Sequence, residues 1–252
     1  MALEFTVTAF LLAMMRFAPL LMVPAFTPFN WIPAPIRVVV LLGLSLLAVG
    51  VNRAPLPPFG LDRPLPFVLA MLGEAVLGLS LSLAVVLPMA ALGFAAKVVD
   101  LQSGASAASL FNPSTHVTES LAGTVLQWAG MMVFFSLGLH LLLMRGMVVS
   151  IEQIPLGQGA LLLSPAVLME KLSSQFLLGM MISAPTMLGL FAIDLTVAYA
   201  SRSMPQANVY FVALPLKLLA SFTLLTGSLR FAPPLIERLY RDAFPLLGTG
   251  VR

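Results

Sequence analysis

Three charged residues stand inside stretches that are otherwise apolar: Glu74, Asp194 and Lys217. Arg16, Arg145, Glu170 and Lys171 lie nearer the ends of such stretches. A charge in an apolar segment is costly, and in a membrane it marks either an ion or proton path or a partner for an opposite charge. Acids and bases are close to balance, 10 against 13, so pairing across helix or subunit interfaces explains them more simply than a relay. The competing chemistry is an ion-coupled transporter with a broken-helix site built on Glu74, Asp194 and Lys217.

Other chemistries find little support. The chain has no cysteine, which removes disulfides, thiolate nucleophiles and thiolate-held metals. His116 and His140 are isolated and lack carboxylates at zinc-ligand spacing, so no metal site is expected. For His140, within an apolar helix, a hydrogen-bonded interior role is the simpler reading. No nucleophile elbow surrounds any serine, and no phosphate-binding glycine loop is present. The expectation is a protein that is no enzyme and has no catalytic residues and no cofactor. A net charge of +3 without a Lys/Arg run gives no nucleic-acid footprint either.

The elements that must carry these residues follow from composition. Of 252 residues, 60% are hydrophobic and 9% charged, with a mean hydropathy of +1.02. Soluble domains carry about 25% charged residues, so a water-facing skin cannot be built here. Apolar windows of bilayer-crossing length recur at 5–26, 36–51, 65–96, 121–149, 172–200 and 207–229. The first is no cleavable leader, since no small-residue cleavage site follows it. With six crossings, Arg53, Arg63, Arg145, Lys171, Arg230, Arg238, Arg241 and Arg252 share one side, against Arg37, Lys97 and Arg202. The excess places both termini in the cytoplasm and the loop at 201–206 on the opposite side.

Prolines shape these windows. Pro19, Pro24, Pro28, Pro88, Pro185 and Pro215 lie within or beside them, and each is expected to break or kink its helix. Freed carbonyls need neighbours in place of water. The fold class that follows is all-α: about six hydropathy segments as broken, kinked hydrophobic hairpins, forming one subunit of a larger helical assembly. The pairs Met14–Met15, Met131–Met132 and Met180–Met181 read as ordinary apolar packing. Residues 52–66 form a proline-rich connector, and 102–118 a run of small residues carrying Leu110 and Phe111 before an Asn-Pro turn. From Arg230 onward the tail is amphipathic and basic, suited to a membrane surface.

Several of these patterns coincide with one family. Arg16, Pro24 and Ile32-Pro-Ala-Pro-Ile-Arg37 are followed by Glu74-Ala-Val-Leu-Gly78, Leu101-Gln102 and Ser109-Leu-Phe-Asn-Pro113. Near the C-terminus stands Pro205-Gln-Ala-Asn208, then Pro215-Leu-Lys217. Together they resemble the FliR family of flagellar export-gate proteins and its virulence type III secretion counterparts, over nearly the whole chain.

The resemblance implies a core subunit of the type III export gate of the bacterial inner membrane, at the flagellar basal body. Its implied partners are FliP-like and FliQ-like subunits, an FlhB-like subunit, membrane lipid and unfolded export substrates passing the gated pore. It implies a FliP-like part at 1–150 with a plug loop at 104–118, a FliQ-like hairpin region at 151–229, and the tail at 230–252. The plug residues are then Gly104, Ala107, Leu110, Phe111, Asn112 and Pro113, with Ala107 standing where members commonly carry Phe. Lys97 and Asp100 stand where an acid and a glycine are commoner. Pro205, Gln206 and Asn208 would face the cytoplasmic mouth, opposite to the side given by the charge count. Glu74 and Lys217 would each pair with an opposite charge on a neighbouring helix or subunit.

Overall fold

A computed structural model describes residues 2–22, 32–52, 63–105, 121–158, 165–204 and 209–244. Among these the chain forms eight α-helices and no strand, the all-α class expected. They are α1 (Ala2–Met22), α2 (Ala34–Val51), α3 (Pro64–Ser103), α4 (Leu121–Ser136), α5 (Leu139–Gln153), α6 (Pro165–Ser203), α7 (Val209–Leu229) and α8 (Ala232–Ala243).

The prolines act in two ways. Pro35, Pro64, Pro165 and Pro233 sit in the first turns of α2, α3, α6 and α8, where a missing N–H costs nothing and the fixed φ suits the helix. Pro19, Pro88, Pro185 and Pro215 lie inside helices that run on across them. Each removes one hydrogen bond, and the turns on either side keep theirs, so none ends its element. The break in the window 121–149 falls instead at Leu137–Gly138, where Gly138 takes φ 69°. The left-handed region is open to glycine, which lets α5 restart with Gly138 O accepting from Leu141 N and Leu142 N.

Contacts divide the chain into two units. The first comprises Met1–Leu87, Gly138–Leu172 and Tyr240–Arg252. In it α1 packs along α2, and α2 meets α5. Leu12, Phe17, Leu20, Leu77, Leu81, Leu143, Met147 and Ile151 are buried there. The closest approach is at Gly78 of α3, where an added Cβ would lie 2.1 Å from the Arg16 carbonyl oxygen of α1.

The second unit comprises Pro88–Leu137 and Ser173–Leu239. Gly179 of α6 rests on the backbone of Ala91 in α3, 2.7 Å from its carbonyl oxygen to an added Cβ. Phe94 and Phe176 meet edge to face at 5.0 Å. α6 and α7 run antiparallel, since Thr186 meets Ser228, Gly189 meets Leu224, and Asp194 meets Lys217.

Among the described residues, five helices are long and apolar enough to cross a membrane, or up to six segments if α4 and α5 count as one span. They differ sharply in cover. The apolar window of α3 is 67% buried, that of α2 only 17% and that of α7 28%. Leu47, Leu188 and Val212 stand out at 68%, 68% and 78% exposure. The α3 window is thus largely covered by protein, whereas α2, α6 and α7 offer broad apolar faces to lipid or to other protein.

The tail departs from expectation. α8 is amphipathic, but its apolar stripe of Ala232, Ile236, Leu239, Tyr240 and Ala243 is already buried within the protein. Lys171 Nζ donates to Asp242 Oδ1 at 2.8 Å, and Gln175 Nε2 to the Leu239 carbonyl at 2.8 Å. Burial pushes the Tyr240 hydroxyl above its ordinary pKa, so the ring stays neutral. No apolar stripe of α8 is left for a membrane surface.

Candidate functional site

The first unit centres on a buried charge. Arg16 is one turn before Pro19 on α1, and Glu74 lies one turn before Gly78 on α3. The glycine lets the two backbones approach, which brings the side chains together in a site without solvent exposure for either. Arg16 Nε donates to Glu74 Oε2 at 2.5 Å and Nη2 to Oε1 at 3.0 Å, a side-on bidentate pair. Nη1 donates to the carbonyls of Ser150 and Ile154, both at 2.9 Å.

Those carbonyls belong to the C-terminal end of α5: Ser150 O also accepts from Ile154 N at 3.0 Å, and Ile154 O lies past the last helical residue. A cation there also meets the negative end of the helix dipole. Glu74 Oε1 accepts a further bond from Gly157 N at 2.8 Å, in the turn that follows α5. Gly157 holds φ 86°, a conformation that fits glycine. One Arg–Glu pair thus fastens α1, α3 and the end of α5. Every nitrogen of the guanidinium is engaged, so the arrangement is a structural lock rather than a site with room for a substrate.

The second unit carries Lys217 of α7, whose Nζ lies 2.6 Å from Asp194 Oδ1 of α6. Lys217 is 9% exposed by side chain and Asp194 39%, so this pair is only partly sheltered. Replacing Lys217 with methionine is expected to cost about 1.5–3 kcal/mol, below the cost of opening a fully buried pair. The unfolding midpoint in detergent reads it; a midpoint equal to the parent's would show that the pair contributes nothing.

A third feature flanks residues 106–120. At the end of α3 the chain turns at Gly104, φ 81°, where an added Cβ would lie 2.8 Å from Leu214 Cδ2. Gln102 Nε2 donates to the Met187 carbonyl of α6 at 2.9 Å. Asp100, 6% exposed, accepts from Ala122 N of α4 at 3.3 Å through Oδ1. Of the expected plug residues, Gly104 is described, whereas Ala107, Leu110, Phe111, Asn112 and Pro113 lie outside the described residues. So do the mouth residues Pro205, Gln206 and Asn208.

The sequence reading expects pairing for Glu74 and Lys217 but assigns neither its partner, and it leaves Arg16 near a window's end. Two signals point to Arg16: it is the cation of the first apolar window, and Gly78 one turn after Glu74 permits a close helix crossing. Asp100 is missed as an anchor, because nothing in the sequence places the start of α4 beside it. No group of three or more His, Asp or Glu able to hold a metal ion occurs among the described residues.

Long apolar helices fastened by internal ion pairs, without a metal-holding cluster among the described residues, define a helical membrane protein. The model of the family described as bacterial export proteins, family 1, matches residues 7–243, and the chain belongs to that family. It is 28% identical over 222 residues to the flagellar biosynthetic protein FliR of Bacillus subtilis, covering 86% of this chain and 84% of that one. It is 26% identical over 242 residues to the protein of the same name in Aquifex aeolicus, covering 96% and 92%. It is also 30% identical over 151 residues to the Yop proteins translocation protein T of Yersinia pestis, covering 57% and 56%. Those names describe flagellar biosynthesis and protein translocation.

Proposed function

We infer that this chain is a core subunit of the type III protein export gate of the bacterial flagellum, set in the inner membrane at the basal body. The family match across residues 7–243 carries the reading. The FliR relatives align with 86% and 96% of the chain, against 57% for the Yersinia translocation protein. That difference favours the flagellar system over a virulence system.

FliP-like and FliQ-like subunits are the proposed neighbours, with an FlhB-like subunit beside them. The thinly covered faces of α2, α6 and α7 support this, because a chain meant for lipid alone needs no such division between a covered α3 and open hairpins. Residues 1–150 form the FliP-like part and 151–229 the FliQ-like region, a division supported by the antiparallel α6 and α7. Residues 230–252 complete the chain as its basic, amphipathic tail. The subunit does no catalysis; it shapes a path for unfolded substrates.

The segment 104–118 acts as the plug, with Leu110 and Phe111 sealing the path and small residues permitting movement. Pro205, Gln206 and Asn208 face the cytoplasmic mouth, where side-chain amides offer hydrogen bonds to any passing backbone. Deleting 106–113 is expected to let small solutes through the closed gate while the complex still assembles. Measuring solute entry into cells that carry the deletion decides it, and unchanged impermeability sinks the plug reading.

A further inference from the structure

The first unit holds a cavity of about 620 Å³ where the C-terminal ends of α2 and α5 meet. Gly50, Val51 and Asn52 line it from α2, and Val148, Ile151 and Glu152 from α5. Its size falls in the range of small-molecule clefts, about 300–1,000 Å³. We propose that it is a phospholipid headgroup site selective for a primary ammonium, as in phosphatidylethanolamine, with an acyl chain laid along α2. The proposal needs only that α2 stands in a membrane, and it does not rest on the gate reading.

Charge selects the headgroup. Glu152 is exposed, and among the described residues no ion pair engages it. Two helices bring the negative ends of their dipoles to the same place, which favours a cation there. Arg16, bound to the Ser150 and Ile154 carbonyls at that end of α5, has its charge met by Glu74. Arg145, two turns before Glu152, is not part of the lining. A primary ammonium offers such a wall three N–H donors. A quaternary choline offers none and favours aromatic faces, which the lining lacks. An anionic headgroup meets the Glu152 carboxylate and is repelled.

The surroundings point to lipid as the source of the ammonium. α2 ends at Val51 and α5 at Gln153, beside the ends of the apolar windows at 51 and 149, which is headgroup depth. Gly43, Leu46, Leu47 and Gly50 share one face of α2, at i, i+3, i+4 and i+7, and all four are exposed. An added Cβ at Gly43 or Gly50 would meet nothing within 4 Å. An open apolar strip about 10 Å long therefore runs to the cavity rim at Gly50. A partner's lysine would use the carboxylate alone, whereas a lipid covers both carboxylate and strip.

The test titrates the purified full chain in detergent with phosphatidylethanolamine, phosphatidylcholine and phosphatidylglycerol of matched acyl chains. Native mass spectrometry counts the lipid retained by the parent, Glu152→Gln and Gly50→Leu. Both positions are exposed, so the variants are expected to unfold at the parent's midpoint. The parent is expected to retain the ethanolamine lipid in preference to the other two. Glu152→Gln weakens that binding about 3- to 5-fold, as for an exposed ion pair, and leaves the choline lipid unchanged. Gly50→Leu, which crowds the end of the strip, also lowers retention of the ethanolamine lipid. Equal retention of the three lipids by the parent overturns the proposal, as does a preference that Glu152→Gln leaves intact. Absence of retained lipid, with Glu152→Gln lowering recovery of a complex with other subunits, assigns the cavity to a partner's cation and overturns it too.

Discussion

Arg16→Leu is expected to destabilise the subunit by about 3–5 kcal/mol, the cost of leaving one member of a buried ion pair alone. The magnitude follows from what Arg16 serves. Its loss strands the Glu74 carboxylate, with no solvent exposure, on a single N–H from Gly157. It also strips a donor from the carbonyls of Ser150 and Ile154, at the end of α5. Arg16→Lys rescues little, because one ammonium cannot reproduce a planar fork that reaches a carboxylate and two carbonyls together. Glu74→Gln leaves the guanidinium facing a neutral amide and falls in the same range. Arg16→Leu combined with Glu74→Leu is expected to cost less than the sum of the two single changes, since no unpaired charge remains. Thermal unfolding of the purified chain in detergent measures all five variants, with Glu74→Leu alone completing the cycle. Single variants within about 0.5 kcal/mol of the parent would contradict the lock.

Gly78→Ala is the second large effect, and it acts on the same junction by sterics alone. The new methyl would stand 2.1 Å from the Arg16 carbonyl oxygen and 2.8 Å from its carbon. Both are backbone atoms of α1, so no rotamer change relieves the clash, and α1 and α3 must separate. Overpacking costs about 1–3 kcal/mol where side chains can yield. Here backbone must yield, and the separation also stretches the Arg16–Glu74 bonds, which puts the effect at or above the upper end. Gly43→Ala and Gly50→Ala are the controls. Nothing lies within 4 Å of a Cβ at either position, so those changes are expected to be neutral or to stabilise helix α2 by about 0.4–1 kcal/mol. Equal midpoints for Gly78→Ala and the two controls would show that the crossing is looser than described.

The contrast between these glycines shows what sequence can and cannot reveal. All three stand in apolar helical runs, and only the fold tells which one faces a backbone. The apolar windows themselves were legible, because a bilayer-length run of Leu, Val and Ala has few alternatives to helix. The charged residues were legible as costly, which is why Glu74 and Lys217 stood out. Their partners were not, since hydropathy gives no information on which helix faces which. Arg16 lies 58 residues from Glu74, and that pairing depends on the α1–α3 crossing. Prolines are a local rule for a related reason: Pro88 and Pro185 end no element, and sit in helices of 40 and 39 residues that run on across one lost bond. The break lay at Gly138 instead, where a positive φ is cheap. In the described part of the tail, the apolar stripe of α8 is covered by protein at Ile236 and Tyr240 rather than left for a membrane surface. The residues proposed for the plug and the mouth rest on family resemblance alone, and all but Gly104 lie outside the described residues.

A composition rich in apolar residues and poor in charges does not separate lipid from protein as the cover for the helices. The broad faces of α2, α6 and α7 are where that question is decided. The most direct measurement is the intact mass of the complex recovered when this chain is co-expressed with FliP-like and FliQ-like subunits from the same bacterium and purified in detergent through a tag on this chain. An export-gate subunit predicts one large particle containing all three proteins, with Arg16→Leu lowering its yield. Recovery of this chain alone, at the mass of a single copy with its detergent, would contradict its place in the gate.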